Sequence, residues 1–144
     1  MNQEDKDLLL KDLCARLPYG VKAEITNTQG YHHDNVAKKG EKTIDTLKGF
    51  DSSYNCFTIY HNNPLDWDWV CSEIDIEDIK PYLFPMSSMT EEQKKKWQSL
   101  MIRDSYGILY HTIESFDYLY KNHIDFRGLI EKDLAIDATG KNIY

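Results

Sequence analysis

The chain has 144 residues, with 17 Lys+Arg against 24 Asp+Glu and a formal net charge of −7. A domain of that size buries roughly two-thirds of its extended surface, so its composition calls for neither a structural metal nor a disulfide. The acidic balance argues against wrapping nucleic acid by phosphate neutralisation, and no apolar run approaches a membrane span.

The first predicted element is a helix over 3–17. Leu10, Leu13, Cys14 and Leu17 fall at i, i+3, i+4 and i+7, one apolar stripe. Asn2 suits the N-cap, and Glu4, Asp5 and Asp7 suit the positive end of the helix dipole. Pro18-Tyr19-Gly20 stops the helix, with Gly20 free to turn left-handed. Acids at this end, where an export signal would be basic, predict a cytoplasmic chain.

A β-rich block over 21–74 follows. Val21, Ala23 and Ile25 alternate with Lys22, Glu24 and Thr26, one buried face and one wet. A polar loop runs from Asn27 to about Lys42. Over 43–50 the alternation has no clear phase. Asp51-Ser52-Ser53 is a turn composition. The run 55–60 is the best strand, rich in aromatic and β-branched residues, and 67–74 reads as another. Short turns between strands imply a small antiparallel sheet or half-barrel, SH3-like in plan.

Residues 75–89 form a junction. A helical turn is expected at 76–79, then an extended apolar clasp, because Pro81 and Pro85 exclude a long helix. The rest, 90–144, is mostly helical. Thr90-Glu91-Glu92-Gln93 is a capping box, followed by a Trp97, Leu100, Met101 stripe. Tyr106, Ile108 and Tyr110 alternate and can add one strand. A further helix over 112–122 is expected to face Ile113, Phe116 and Tyr120 inward. A last helical turn is read at 128–132, and Leu134, Ile136, Ile143 and Tyr144 pin the ending. The sum is a single α+β domain over 1–144.

Motifs for chemistry are sparse. His32-His33-Asp34 offers three metal-ligand types in a row, but neighbouring residues on extended backbone point to opposite sides. A site there would need Asp45, His61 or a distant residue, and the spacing lends no support. Cys14, Cys56 and Cys71 form no CxxC pair and sit among apolar neighbours, as small buried hydrophobes do. Neither GxGxxG nor GxxxxGK[ST] occurs, so no phosphate cradle is indicated. The reading is therefore no enzyme, no metal and no cofactor. A histidine–carboxylate hydrolase around His61, His111 or His123 is the catalytic alternative.

The most unusual composition is 64–79, PLDWDWVCSEIDIEDI. It holds six acids, Asp66, Asp68, Glu73, Asp75, Glu77 and Asp78, with no base and with Trp67 and Trp69 interleaved. On a strand the two tryptophans share one face and Asp66 and Asp68 the other. A row of carboxylates resembles the charge spacing of a phosphate backbone and suits a basic groove on a partner. Asp66, Trp67, Asp68, Trp69, Glu73, Asp75, Glu77 and Asp78 are thus the expected partner contacts. The bland alternative is a solvated strand followed by an acid-enriched helix start. Lys94-Lys95-Lys96 beside Trp97 is the one basic run, a solvated helix face or an anionic contact.

Three blocks carry a resemblance: 8–22 (LLLKDLCARLPYGVK), 78–93 (DIKPYLFPMSSMTEEQ) and 121–132 (KNHIDFRGLIEK). Together they resemble a family of small phage and prophage proteins of gut anaerobes. They cover about a third of the chain and leave 23–77 outside. The family carries no established activity, so no residue inherits a role. What the resemblance implies is a setting: small acidic proteins of mobile elements are often inhibitors that act by binding. The expectation is a non-catalytic regulator, anti-CRISPR-like, whose partner is a CRISPR-type nuclease or another nucleic-acid enzyme. Direct binding of nucleic acid is disfavoured by charge; the alternative is an accessory protein stacking single strands with Lys38, Lys39, Lys94–Lys96 and exposed tyrosines.

Overall fold

Asn2 starts helix α1 (Gln3–Arg16): its side chain accepts the Asp5 amide at 2.8 Å. A 3-10 turn over Leu17–Tyr19 and a left-handed Gly20 (φ 67°) end it, as expected. The computed structural model of the chain describes residues 1–26, 40–61 and 70–144, with 60, 61 and 70–73 described by backbone alone. These residues form two compact units, 1–82 with 143–144, and 83–142. The chain is α+β: helices, a mixed set of paired strands and turns.

In the first unit, β1 (Lys22–Thr26) pairs antiparallel with β2 (Lys42–Asp51), β2 with β3 (Cys56–His61) and β3 with β4 (Val70–Asp75). A 3-10 turn over Ile76–Asp78 leads to β5 (Ile79–Pro85), which returns beside β1 with Ile25 opposite Ile79. The order is therefore β4-β3-β2-β1-β5. In a flat sheet β4 and β5 would lie about 19 Å apart, four strand spacings. Four Cα steps from Asp75 to Ile79 reach at most about 14 Å, so the sheet must curl. The expected apolar clasp is thus a strand of the sheet: pairing with β1, a partner more than fifty residues away, decides it.

The ambiguous phase over 43–50 has a local cause. The register of β2 against β3 shifts between Leu47 and Gly49, so no single alternation runs through. A Cβ at Gly49 would stand 2.9 Å from the Thr58 hydroxyl, which explains glycine there. Val21, Ala23, Ile25, Leu47, Phe57 and Ile59 fill the core from the sheet, each at most 4% exposed.

Helix α1 corrects the expected stripe. Its buried face is Leu9, Asp12, Leu13 and Arg16, while Leu10, Cys14 and Leu17 are only half-buried. The inward face is turned because it carries an ion pair. The Arg16 Nε donates to Asp12 Oδ2 at 2.6 Å, with both side chains fully buried.

In the second unit, Thr90 and Gln93 close both bonds of the expected capping box on α2 (Glu91–Ser99). The expected strand through 106–110 is a hairpin, β6 (Ile102–Arg103) with β7 (Leu109–Tyr110). Thr112 caps α3 (Ile113–Lys121). A short β8 (Ile124–Asp125) runs parallel to the end of β5, and β9 (Ile136–Asp137) also pairs with β5. The expected helical turn at 128–132 is a hydrogen-bonded turn: buried Asp125 accepts the Leu129 and Ile130 amides. Met89, Leu119 and Ile124 form the core, with Phe84, Trp97 and Phe126 packed against it.

Helix α3 corrects a second stripe. Ser115 and Leu119 face the core, whereas Ile113 is 79% exposed and Phe116 37%. The Ser115 hydroxyl accepts the Thr112 amide and so serves the cap, which lets a polar residue occupy the inward position.

The ending is held through Tyr144. Its hydroxyl accepts the Lys22 amide and donates to the Tyr82 carbonyl at 2.8 Å. Burial pushes this phenol up to about 12. Lys22 Nζ adds a bond to the Ile143 carbonyl at 2.7 Å.

Candidate functional site

The acidic segment is only partly within view. Asp66, Trp67, Asp68 and Trp69 lie outside the described residues. Glu73 is placed by its backbone alone, in register with Thr58 on β3. Asp75 closes β4 and is exposed, opposite Cys56. Two residues on, Glu77 is exposed but engaged. Its carboxylate meets Lys6 Nζ at 2.6 Å, which holds it below the usual carboxylate range. Asp78 is half-buried. The 3-10 turn therefore places Asp75, Glu77 and Asp78 within four residues of one another at one end of the sheet, with α1 contributing a lysine to the middle one.

His32, His33, Asp34, Lys38 and Lys39 also lie outside the described residues. Among the described residues no group of three or more His, Cys, Asp or Glu gathers as metal ligands would. Cys56 is buried, and burial pushes the half-buried Cys14 thiol up, away from the reactive thiolate. The backbone alone is described at His61 and Cys71. His111 Nδ1 lies 3.2 Å from the Ser115 hydroxyl. That serine is fully buried and is already engaged with both the amide and the carbonyl of Thr112. His123 is 7% exposed, in left-handed backbone at φ 54°, and its carbonyl accepts the Phe84 amide.

The second unit holds a surface that the sequence did not mark. Ile102, Tyr106, Ile108, Leu109 and Tyr110 of the hairpin are exposed, Tyr106 at 89%. The hairpin is braced from within. Asp104 accepts the Tyr106 and Ile108 amides at 2.9 Å and the Tyr110 hydroxyl at 3.1 Å. These bonds, the Ile108 amide first, hold the Asp104 carboxyl below its usual range. Arg103 Nη1 donates to the Gly107 carbonyl, and Gly107 takes φ 85°. Next to the hairpin, His111 stacks on Phe116 with ring centroids 4.7 Å apart and lies 5.5 Å from Trp97. The ladder continues through Phe126 to Tyr120, whose hydroxyl accepts Arg127 Nη2 at 2.6 Å.

Sorting the charges by unit separates these two surfaces. The first unit holds 15 acids and 9 bases, net −6, and the second 9 acids and 8 bases, net −1. Nearly all of the acidity therefore belongs to the β-rich unit, and the aromatic surface belongs to an almost neutral one. Comparison with protein-family models, with curated proteins and with solved structures finds no match to this chain. Among the described residues no helix is long and apolar enough to cross a membrane.

Proposed function

We propose that the chain is a non-catalytic protein-binding module, a mobile-element regulator that inhibits a nucleic-acid-handling enzyme in the host cytoplasm. The anti-CRISPR-like version takes a CRISPR-type nuclease as the partner. The observation that carries the reading is the concentration of charge: a net −6 in one unit, six of its acids within 64–79. Such a surface complements a basic groove built for a phosphate backbone and speeds the encounter by steering. Asp66, Asp68, Glu73, Asp75 and Asp78, with Trp67 and Trp69, form the contact; Glu77 contributes less because Lys6 already neutralises it.

The test is capture of the chain on a panel of immobilised RNA-guided nucleases. The comparison is with a variant carrying Asp66→Asn, Asp68→Asn, Asp75→Asn and Asp78→Asn. Capture by the native chain, lost in the variant and weakened by salt, is the expected result. Equal capture of both would sink the acidic-surface reading.

A further inference from the structure

We infer that the exposed apolar surface of the second unit, from the 102–110 hairpin to the start of α3, binds the same surface of a second copy of this chain. This goes beyond the acidic-surface reading and does not rest on it.

The exposed residues adjoin along the chain, with Leu109 on the other face of the hairpin from Ile102 and Tyr110. Ile102 and Tyr110 are register partners on the hairpin. The Thr112 hydroxyl donates to the Leu100 carbonyl at 2.7 Å, tying the start of α3 to the foot of the hairpin. His111 then stacks onto Phe116, next to Ile113 in the first turn of α3. The seven large apolar residues along this path are between 37% and 89% exposed. At about 200 Å² for a fully exposed residue of this size, they present roughly 800 Å². That sum includes backbone and hydroxyl atoms; its apolar part stands at the upper end of the largest apolar patches of typical monomers, about 300–600 Å². The whole sum matches the roughly 800 Å² that each partner contributes to a specific interface.

The chemistry selects the occupant. Four of the seven residues, Ile102, Ile108, Leu109 and Ile113, are aliphatic and have no π-face for a base to stack on, which disfavours a nucleic acid strand. The charges of the hairpin are spent internally, Arg103 on the Gly107 carbonyl and Asp104 on the hairpin amides, and exposed Glu114 between Ile113 and Phe116 is engaged with the Thr112 side chain. A face this apolar is the signature of homodimer interfaces, which are more apolar than those of transient complexes. The unit's net charge of −1 lets two copies approach, whereas the first unit's −6 would repel its own copy. A two-fold contact needs only one such surface, because each copy supplies the same patch. Bracing by Asp104 means that little hairpin order has to be acquired on association. A dimer would carry two acidic units, so a partner with two basic sites would be held by both.

Sedimentation equilibrium on the full chain, from low to high micromolar, tests this. The expected result is a mass rising from one chain to two. Tyr106→Asp and Ile113→Asp should each remain monomeric at every concentration while keeping the native circular dichroism spectrum. Raising salt should leave the dimer intact or tighten it. The Asn variant at 66, 68, 75 and 78 should dimerise normally, which separates this inference from the acidic-surface reading. A native chain that stays monomeric throughout overturns it, as does a dimer that survives both Asp substitutions. So does a monomeric chain that shifts a single-stranded oligonucleotide and loses the shift in these variants.

Discussion

The two units handle polar groups in opposite ways. The first unit carries nearly all of the net charge and also buries a charged pair, Asp12 with Arg16, inside α1's inward face. The second is close to neutral; its core meets the backbone through Ser115 and Asp125, which cap helix and turn amides, while large apolar residues stand outside. Burial of an ion pair places a strong constraint on one geometry: either partner left alone is an uncompensated charge in an apolar interior. A capping group satisfies orphan amides with no charge partner and is cheaper to lose. The first unit should therefore be the more brittle to polar substitution, and the second more tolerant.

The largest expected effect breaks the pair. Asp12→Ala removes the carboxylate from beside a fully buried guanidinium and should cost about 3–5 kcal/mol in denaturant unfolding. Hydrogen exchange should show amides of β1 losing protection. Asp12→Leu combined with Arg16→Met should recover most of that loss, since a well-packed apolar pair often matches a buried ion pair. Failure of the double variant to recover would mean that the pair also fixes something beyond itself.

Asp125→Ala sharpens the contrast from the other side. It exposes the Leu129 and Ile130 amides to burial without an acceptor and should cost about 1–3 kcal/mol. A cost equal to that of Asp12→Ala would erase the distinction between the units.

Tyr144→Phe removes the hydroxyl from between the Lys22 amide and the Tyr82 carbonyl, a loss of about 1 kcal/mol at neutral pH. Its pH dependence has a definite sign. The folded phenol is pushed up to about 12, above the ordinary value near 10. Folding therefore favours the protonated form: the contribution is complete below pH 10 and is lost as pH rises toward 12. Tyr82, also pushed up, first by burial and then by the Glu24 charge, titrates in the same direction. Thermal melts from pH 9 to 12 should bring the native chain down toward the Tyr144→Phe variant; parallel curves would remove the hydroxyl from the argument.

The smallest effect is expected at Trp97. Its indole Nε1 is buried with no hydrogen-bond partner among the described residues. Trp97→Phe trades contact area for relief of that donor and should change stability by no more than about 1 kcal/mol. A larger loss would show that the indole area against His111 and the core dominates.

Local signals read correctly where the responsible contact lies within a few residues. Asn2 and the Thr90–Gln93 box start their helices, Gly20 ends α1, and Val21, Ala23 and Ile25 point inward, because caps, left-handed turns and the strand period act over one turn or one pleat. The excess of acids over 64–79 was equally open to reading, since charge is counted, not folded. Which face goes inward was not. The patterns Leu10-Leu13-Cys14-Leu17 and Ile113-Phe116-Tyr120 look more apolar than Leu9-Asp12-Leu13-Arg16 and Ser115-Leu119, yet the latter two are buried. Hydrophobicity ranks residues singly, whereas burial depends on whether a polar atom finds its partner: Asp12 finds Arg16, and Ser115 finds the Thr112 amide. The clasp became a strand for the same kind of reason, because a β-ladder needs a second strand and β1 is far away in sequence. Element ends, class and charge follow from contacts within a turn or a pleat and from counting; which polar groups are buried, and so which apolar ones stay outside, follows from contacts between distant segments.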